Sequence, residues 1–462
     1  MSGFSRRRLG ATATAVAVAL SSAAVFASPA GAVTGDASPD GGSGAVVKLS
    51  NTSGACSGVL VAAQWVLTST TCFPNATPYA APPVATTATL GRGNLATGTD
   101  GHVVAVTELV PQPSRPIMLA RLATPVTDVF IAPLATTPPQ VGDSIFIGGY
   151  GRTATEWVPD QLHFATVTVD TLGTTTLAIS SSTGPTTCKG DAGGPAWRTT
   201  ATGATELLAL HHTSWQGGCF GETETRTGAT ETRIDDLHDT LTQQTTSPIL
   251  ARYLDLGGAP SFLGAPVGGE FTVAEGRGQG YEHGAIYYSP ATGPHDVQGP
   301  ILAKYQEFNG PVGLGFPIND QSITPDGIGR YNHFNRPDEA SIYWSPSTGA
   351  HEIQGAIRGK WASMGWETGP GYPTTDETST ADGVGRFNDF TNNTSIYWTP
   401  TTSVHAVAGT IRDTWTSLGR ETSALGYPTS DEYDIPGGRR SDFQNGYITW
   451  NASNNTTQVF LT

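Results

Sequence analysis

The sequence predicts a mainly β protein in two parts, a strand-rich first half and a β-rich repeat array. Three observations carry this reading. Only 14% of the 462 residues are Asp, Glu, Lys or Arg, while Gly (57) and Pro (32) are abundant, which suits short strands joined by many turns. Short aliphatic and β-branched runs fill the first half, at Ala45–Leu49, Val59–Leu67, His102–Val110, Ser144–Ile147, Thr166–Val169 and Leu207–His211. From Ile249 onward the text repeats itself at a period of 50-odd residues.

The N-terminal segment, residues 1–32, has the order of an export signal. Arg6, Arg7 and Arg8 precede an Ala/Val/Leu-rich run from Leu9 to Ala27, and Ala30-Gly31-Ala32 is a small-residue cleavage site. Ser5-Arg6-Arg7-Arg8-Leu9 also fits a twin-arginine signal, so both the Sec and Tat routes stay open. No later segment carries the roughly 20 apolar residues that span a bilayer, so a secreted protein without a membrane span is expected. The net charge of −15 argues against nucleic acid, which needs a basic footprint. Cys56, Cys72, Cys188 and Cys219 allow three pairings, and outside the cytosol two disulfides are expected. Their spacing is not that of a metal site, and no motif asks for a cofactor.

Residues 33–244 form the first domain on this reading, closing on a polar helical stretch from Asp235 to Gln244; residues 245–248 (Thr-Thr-Ser-Pro) read as a linker. Residues 249–462 hold four copies of a Leu-Gly-x-Pro motif, with Pro370 in place of leucine in the third, ending at Pro266, Pro317, Pro373 and Pro428, at steps of 51, 56 and 55 residues. Each copy is preceded by an apolar-aromatic segment and followed by a strand-like core: Ile286-Tyr287-Tyr288, Ile342-Tyr343-Trp344, Ile396-Tyr397-Trp398 and Ile448-Thr449-Trp450. Copies of this kind share a core with their neighbours.

Motifs in the first domain carry a resemblance. Gly54-Ala55-Cys56-Ser57-Gly58 and Gln64-Trp65-Val66-Leu67-Thr68 lead to Thr71-Cys72; Ile117-Met118-Leu119-Ala120 follows Pro116; Gly149-Tyr150-Gly151 comes next; and Cys188-Lys189-Gly190-Asp191-Ala192-Gly193-Gly194-Pro195 precedes Ser214-Trp215. In order and spacing this resembles the trypsin-like serine protease family, which implies a double β-barrel. The resemblance places Thr71 at the catalytic histidine, Pro116 at the aspartate and Ala192 at the serine. It pairs Cys56 with Cys72 and Cys188 with Cys219. It assigns an oxyanion hole to the backbone of Gly190 and Ala192, and a pocket to Thr186, Ser214, Trp215 and Gln216, where the Gln216 side chain narrows the entrance. It also makes Val33, freed by signal cleavage, the amino-terminal partner of Asp191.

Each replacement removes one part of the chemistry. Ala192 has no hydroxyl to acylate, Thr71 does not titrate near neutrality, and Pro116 has no side-chain acceptor to orient a base. A replacement site is poorly supplied, since His211 and His212 are strand neighbours and point to opposite faces. The expectation is a pseudoprotease with a peptide or protein as the cleft's ligand. A family hydrolase with weak or rearranged activity is the alternative.

The second half resembles LGFP repeats, spelled outright at Leu314-Gly315-Phe316-Pro317. That resemblance implies attachment to cell-wall glycan, and a propeller is one arrangement for such units. Tyr287, Tyr343 and Tyr397, with Arg330, Arg386 and Arg440, are the candidate glycan contacts, because an aromatic face and a fixed donor suit a polyol. The isoleucine and tryptophan side of each core strand is expected inside, and His295, His351 and His405 are expected to stabilise turns.

Overall fold

A computed structural model describes residues 44–97, 99–181 and 186–462. The proposed signal segment and Val33 lie outside the described residues. Six strands, β1 (Val46–Asn51), β2 (Gly54–Ala62), β3 (Trp65–Ser69), β4 (Thr87–Leu90), β5 (His102–Pro111) and β6 (Ile117–Leu122), close a first barrel in the order β1-β2-β3-β6-β5-β4. The apolar run Val59–Leu67 is thus two strands meeting at Ala63-Gln64. A second barrel closes as β10-β11-β12-β9-β8-β7, from β7 (Ser144–Gly149), β8 (His163–Leu172), β9 (Thr176–Ser180), β10 (Pro195–Thr199), β11 (Thr205–Ser214) and β12 (Ala229–Arg233). Closure removes the free edges that short antiparallel strands would otherwise expose. Val59, Leu60, Val66, Leu67 and Leu119 are fully buried in the first barrel, and Leu208, Ala209 and Ala196 in the second.

Two disulfides join Cys56 to Cys72 and Cys188 to Cys219, as the resemblance implied. Each ties a loop of the barrel seam to a strand or loop beside it.

Helices α1 (His238–Thr246) and α2 (Pro248–Asp255) follow, separated by Ser247 alone, whose hydroxyl accepts the Leu250 N–H as an N-cap. Pro248 sits at the first helical position, where its missing N–H costs nothing. The segment expected as a spacer is therefore a helical bend. It is also a docked one. Ile249, Tyr253, Leu254, Leu263, Tyr281 and Ile286 belong to the same buried cluster as the first barrel. The Tyr253 ring lies 5.8 Å from that of Tyr79 and Ala259 N–H donates to the Tyr79 carbonyl at 2.9 Å. Arg121 of β6 pairs with Asp255 at 2.8 Å. At about 1.5–3 kcal/mol per buried large side chain, this contact holds the barrels and the first repeat as one body.

The repeats form four separate four-stranded antiparallel sheets, each with its strands in sequence order. Helices Gly299–Glu307, Gly355–Ser363 and Gly409–Ser417 lie between consecutive sheets. The core strands of the first three sheets are therefore covered by a helix on each face, and that of the fourth on one. Ile342 packs on the preceding helix with Tyr305 and Phe316, whereas Tyr343 packs on the following one with Trp361. The motif's aromatic residue locks each junction. Tyr372 fills the space over Gly329, where a Cβ would come within 2.6 Å of its ring, and Tyr427 does the same over Gly385.

Candidate functional site

The 3-10 turn Thr70–Cys72, at the end of β3, holds Thr71 exposed at the seam of the two barrels. Its hydroxyl bonds that of Ser69 at 2.8 Å, and Thr70 N–H donates to the Pro116 carbonyl at 3.0 Å. Ala192 reaches the same seam, because its carbonyl accepts the Ser57 N–H at 3.0 Å. Gly193 beside it must be glycine: φ is +81° and a Cβ would meet Thr68 Oγ1 at 2.1 Å. The fold thus gathers Thr71, Pro116 and Ala192 in one place, and none of the three side chains can take or give a proton near neutral pH.

The loop around Ala192 is well formed. Gly190 has φ +101° and its carbonyl accepts the Ser57 hydroxyl at 3.0 Å. Among the described residues, the N–H groups of Gly190 and Ala192 donate to no protein acceptor. Asp191 is buried, and its carboxylate accepts N–H bonds from Gly151 and Cys188, both at 2.8 Å. This contact explains Gly149-Tyr150-Gly151. A Cβ on Gly149 would stand 2.1 Å from Asp191 Oδ1, and one on Gly151 2.6 Å from it. Burial pushes the Asp191 carboxyl up from its ordinary range, while the charge of His211 and the two N–H bonds pull it back.

The pocket region is stitched shut by one residue. Gln216 sits in the left-handed region at φ +67°, a conformation costing a non-glycine residue about 1 kcal/mol. Its side-chain oxygen accepts the Lys189 N–H at 2.9 Å, spanning from one wall to the other. Its own N–H goes to the Ser214 hydroxyl at 3.1 Å and its carbonyl accepts Cys219 N–H at 3.1 Å. An extended peptide therefore finds no free backbone partner at Gln216. Thr186 is buried, and the half-exposed Trp215 carries the Arg226 guanidinium 3.8 Å from its ring centre. A pocket of about 260 Å³ remains beside Ser214 and Trp215, walled by Gly228 and Thr230.

Sequence reasoning missed the charges beneath this loop. His211 and Glu231 face each other across β11 and β12, with Nδ1 2.6 Å from Oε2 and both side chains buried. Lys48 in β1 is buried too, with Nζ donating to the Tyr150 carbonyl at 3.1 Å. The signal for Lys48 was a charged residue inside an apolar strand, Val46-Val47-Lys48-Leu49, whereas Glu231 lies in a polar strand, Ala229–Arg233, that gives no such signal.

In the repeats the structure corrects the aromatic assignment. Tyr287, Tyr343 and Tyr397 are 5%, 4% and 1% exposed, so they cannot stack on a sugar. They pack edge-on against Tyr305, Trp361 and Trp415 of the following helices, at 5.2, 4.6 and 4.9 Å. The tryptophans expected inside, Trp344 and Trp398, are only partly covered. Sheet register corrects the arginine series as well. Arg277, Arg330, Arg386 and Arg439 stand opposite Tyr288, Trp344, Trp398 and Trp450, so the fourth member is Arg439 and the first Arg277. Arg440 pairs with Asp442 and lies over Tyr447 at 3.6 Å. Between the second and third repeats, Arg336, Gln354, Glu377, Arg386 and Trp398 line a groove of about 410 Å³. His295, His351 and His405 each donate Nε2–H to a turn carbonyl (Thr292, Thr348, Thr402), as expected. Among the described residues no cluster of His, Cys, Asp and Glu could hold a metal ion, and no helix is long and apolar enough to cross a membrane.

The Trypsin family model matches residues 32–240, and the LGFP repeat model matches residues 263–313, 314–369, 371–423 and 425–460. The chain is a trypsin-family domain followed by four LGFP repeats. A solved structure described as neuropsin, a serine protease expressed in the limbic system of mouse brain, is similar at 22% identity and TM-score 0.37, over 44% of this chain and 96% of its own. No curated protein sequence matches. The trypsin-family domain thus keeps its barrels, disulfides and glycine loops, and the LGFP repeats supply the second half of the fold.

Proposed function

We propose that this chain is an exported, wall-associated trypsin-family protein whose first domain does not cleave peptides and serves as a binding or scaffold module. The observation that carries this is the seam occupied by Thr71, Pro116 and Ala192, with no proton acceptor among them. Gln216 supports the same reading, because its side chain bonds Lys189 across the pocket and its own N–H is taken by the Ser214 hydroxyl. His211 is spoken for by Glu231 and lies inside the second barrel, so it offers no substitute base and the rearranged-hydrolase reading loses its main candidate. The cleft's remaining open surface favours a protein partner over an extended peptide.

Attachment to wall glycan is assigned to the repeats. In place of the buried tyrosines, the supported contacts are Trp398, Arg386 and Arg336 around the groove between repeats two and three. A partly exposed indole offers a sugar its face, and an arginine held by Glu377 presents fixed donors. The paired cysteines fit an oxidising compartment outside the cytosol, and residues 1–32 supply the export signal.

The test uses the full chain. Incubation at high concentration with peptide and ester libraries is expected to yield no products, and turnover abolished by His211→Gln would overturn the non-catalytic reading. Co-sedimentation with purified wall polymer is expected, and Trp398→Ala should weaken it about tenfold or more. Unchanged sedimentation of that variant would move the contact elsewhere, and no sedimentation of the parent chain would remove the wall reading.

A further inference from the structure

Beneath the Ala192 loop lies a cluster of charges that no part of the proposed function uses. His211 is nearly solvent-free, and both its ring nitrogens face acceptors: Glu231 Oε2 at 2.6 Å from Nδ1 and the Gly148 carbonyl at 3.2 Å from Nε2. A ring that donates from both nitrogens carries a positive charge. Burial works against that charge, but the charge and hydrogen bond of Glu231, the charge of Asp191 and the Gly148 carbonyl together raise the ring's pKa. The same residue grips the loop through its backbone. His211 N–H donates to the Gly194 carbonyl and its own carbonyl accepts Gly193 N–H, both at 2.9 Å. The ring itself is flush with the loop, since a Cβ on Gly194 would lie 2.9 Å from His211 Cδ2.

The other barrel contributes Lys48. Its ammonium is fixed on the Tyr150 carbonyl, in the very Gly149–Gly151 segment that wraps the Asp191 carboxylate. Asp191 thus feels Lys48 from β1 and His211 from β11, with His163 of β8 in the same field and Glu231 of β12 behind the imidazole. Two buried cations and two buried carboxylates balance at this point. An isolated buried carboxylate would be costly, and here its compensation is part of the folded barrels.

We propose that the Gly190–Gly194 loop is held by this internal network, Lys48 from one barrel and the His211–Glu231 pair from the other, so that Asp191 requires no freed amino terminus at Val33. The loop is then ordered as soon as the barrels close, whatever precedes residue 33. Lys48, His211 and Glu231 are positioning residues in this scheme.

The test is amide hydrogen exchange at Gly193 and Gly194, whose N–H groups bond the His211 and Asp191 carbonyls. Two versions are compared, one beginning at Val33 and one with an added Gly-Ser segment ahead of Val33. Exchange is expected to agree within about twofold between them. Glu231→Gln and Lys48→Met should each speed exchange tenfold or more in both versions, while the Ile342 amide in the repeats reports any global loosening. A tenfold acceleration caused by the added segment alone overturns the proposal, as does unchanged exchange in both variants. The parent comparison needs no substitution, so it decides even where a variant fails to fold.

Discussion

The barrel pair and the repeat array both bury charge, but they distribute it differently. In the barrels four buried charges, Lys48, Asp191, His211 and Glu231, meet under a single loop, with the buried Arg233–Asp235 pair elsewhere. In the repeats partly exposed charges recur at each junction between sheets. Asp320, Asp376 and Asp431 each join a histidine of the preceding sheet (His295, His351, His405) and a basic residue of the helix before it (Arg252, Lys304, Lys360). A unique site fails as a whole when one member goes. A device copied three times loses only its share. The predictions below press on that contrast, in order of falling effect.

The largest effect belongs to the seam. Restoring Thr71→His, Pro116→Asp and Ala192→Ser together is expected to leave peptide turnover at background, because Gln216 still bars the pocket. Adding Gln216→Gly, which also relieves the positive φ, should raise amidase activity about 100-fold or more over the triple variant. Assay with an unbiased peptide library checks this; activity in the triple variant alone would show that the pocket is open.

Next comes the joint between the two regions. Tyr253→Ala removes a fully buried ring from the cluster shared by the first barrel and first repeat. A cost of about 3–5 kcal/mol is expected. Circular dichroism and tryptophan fluorescence should show the loss in one transition for both halves. Two separate transitions in the parent protein would mean that the shared core does not couple them.

The repeats also hold a buried carboxyl without a cation at contact distance. Glu352 is fully buried, and burial followed by the Glu377 charge pushes its pKa up to about 8. A raised acid binds its proton more tightly when folded, so its contribution to stability is complete below the unfolded value near 4.5 and drains away as pH rises towards 8. Glu352→Gln should therefore stabilise the protein by roughly 2–4 kcal/mol at pH 8.5 and by little at pH 4. Urea midpoints at the two pH values test this, and a variant equally affected at both would show that charge is not the cause.

Much of this architecture was legible in the chain. Motif order from Cys56 to Trp215 gave the barrels and their disulfides, and proline spacing gave the four repeats. What was not legible has identifiable causes. Alternation along Ile342-Tyr343-Trp344 separates two faces but cannot say that helices cover both, so Tyr343 was taken for a surface residue. The fourth copy is two residues shorter between Asp431 and the arginine that faces its tryptophan, so motif spacing alone does not single out Arg439 over Arg440. Lys48 and Glu231 lie in different barrels, 183 positions apart in sequence, and only barrel closure brings their strands to one loop. Gln216 lies beside Ser214, and its bond to Lys189 depends on a left-handed backbone that its residue type does not announce.

The smallest effect tests redundancy itself. In sheet register the fourth copy has Gln458, opposite Thr449, where the other three have a histidine opposite a tyrosine. A glutamine at this register is thus compatible with a formed sheet. His351 is about four-fifths buried and makes two bonds, to the Thr348 carbonyl at 3.0 Å and to Asp376 at 3.3 Å. Asp376 keeps Lys304 at 2.8 Å and the Glu352 N–H at 2.9 Å when the imidazole is gone. His351→Gln should therefore cost only about 1 kcal/mol, the net worth of one or two partly solvated hydrogen bonds. In a chain of this length that is a melting shift of about 2–4 °C or less. A drop of 10 °C or more would mean that the junctions act as one unit, and that the repeats concentrate their charge energetically much as the barrels do.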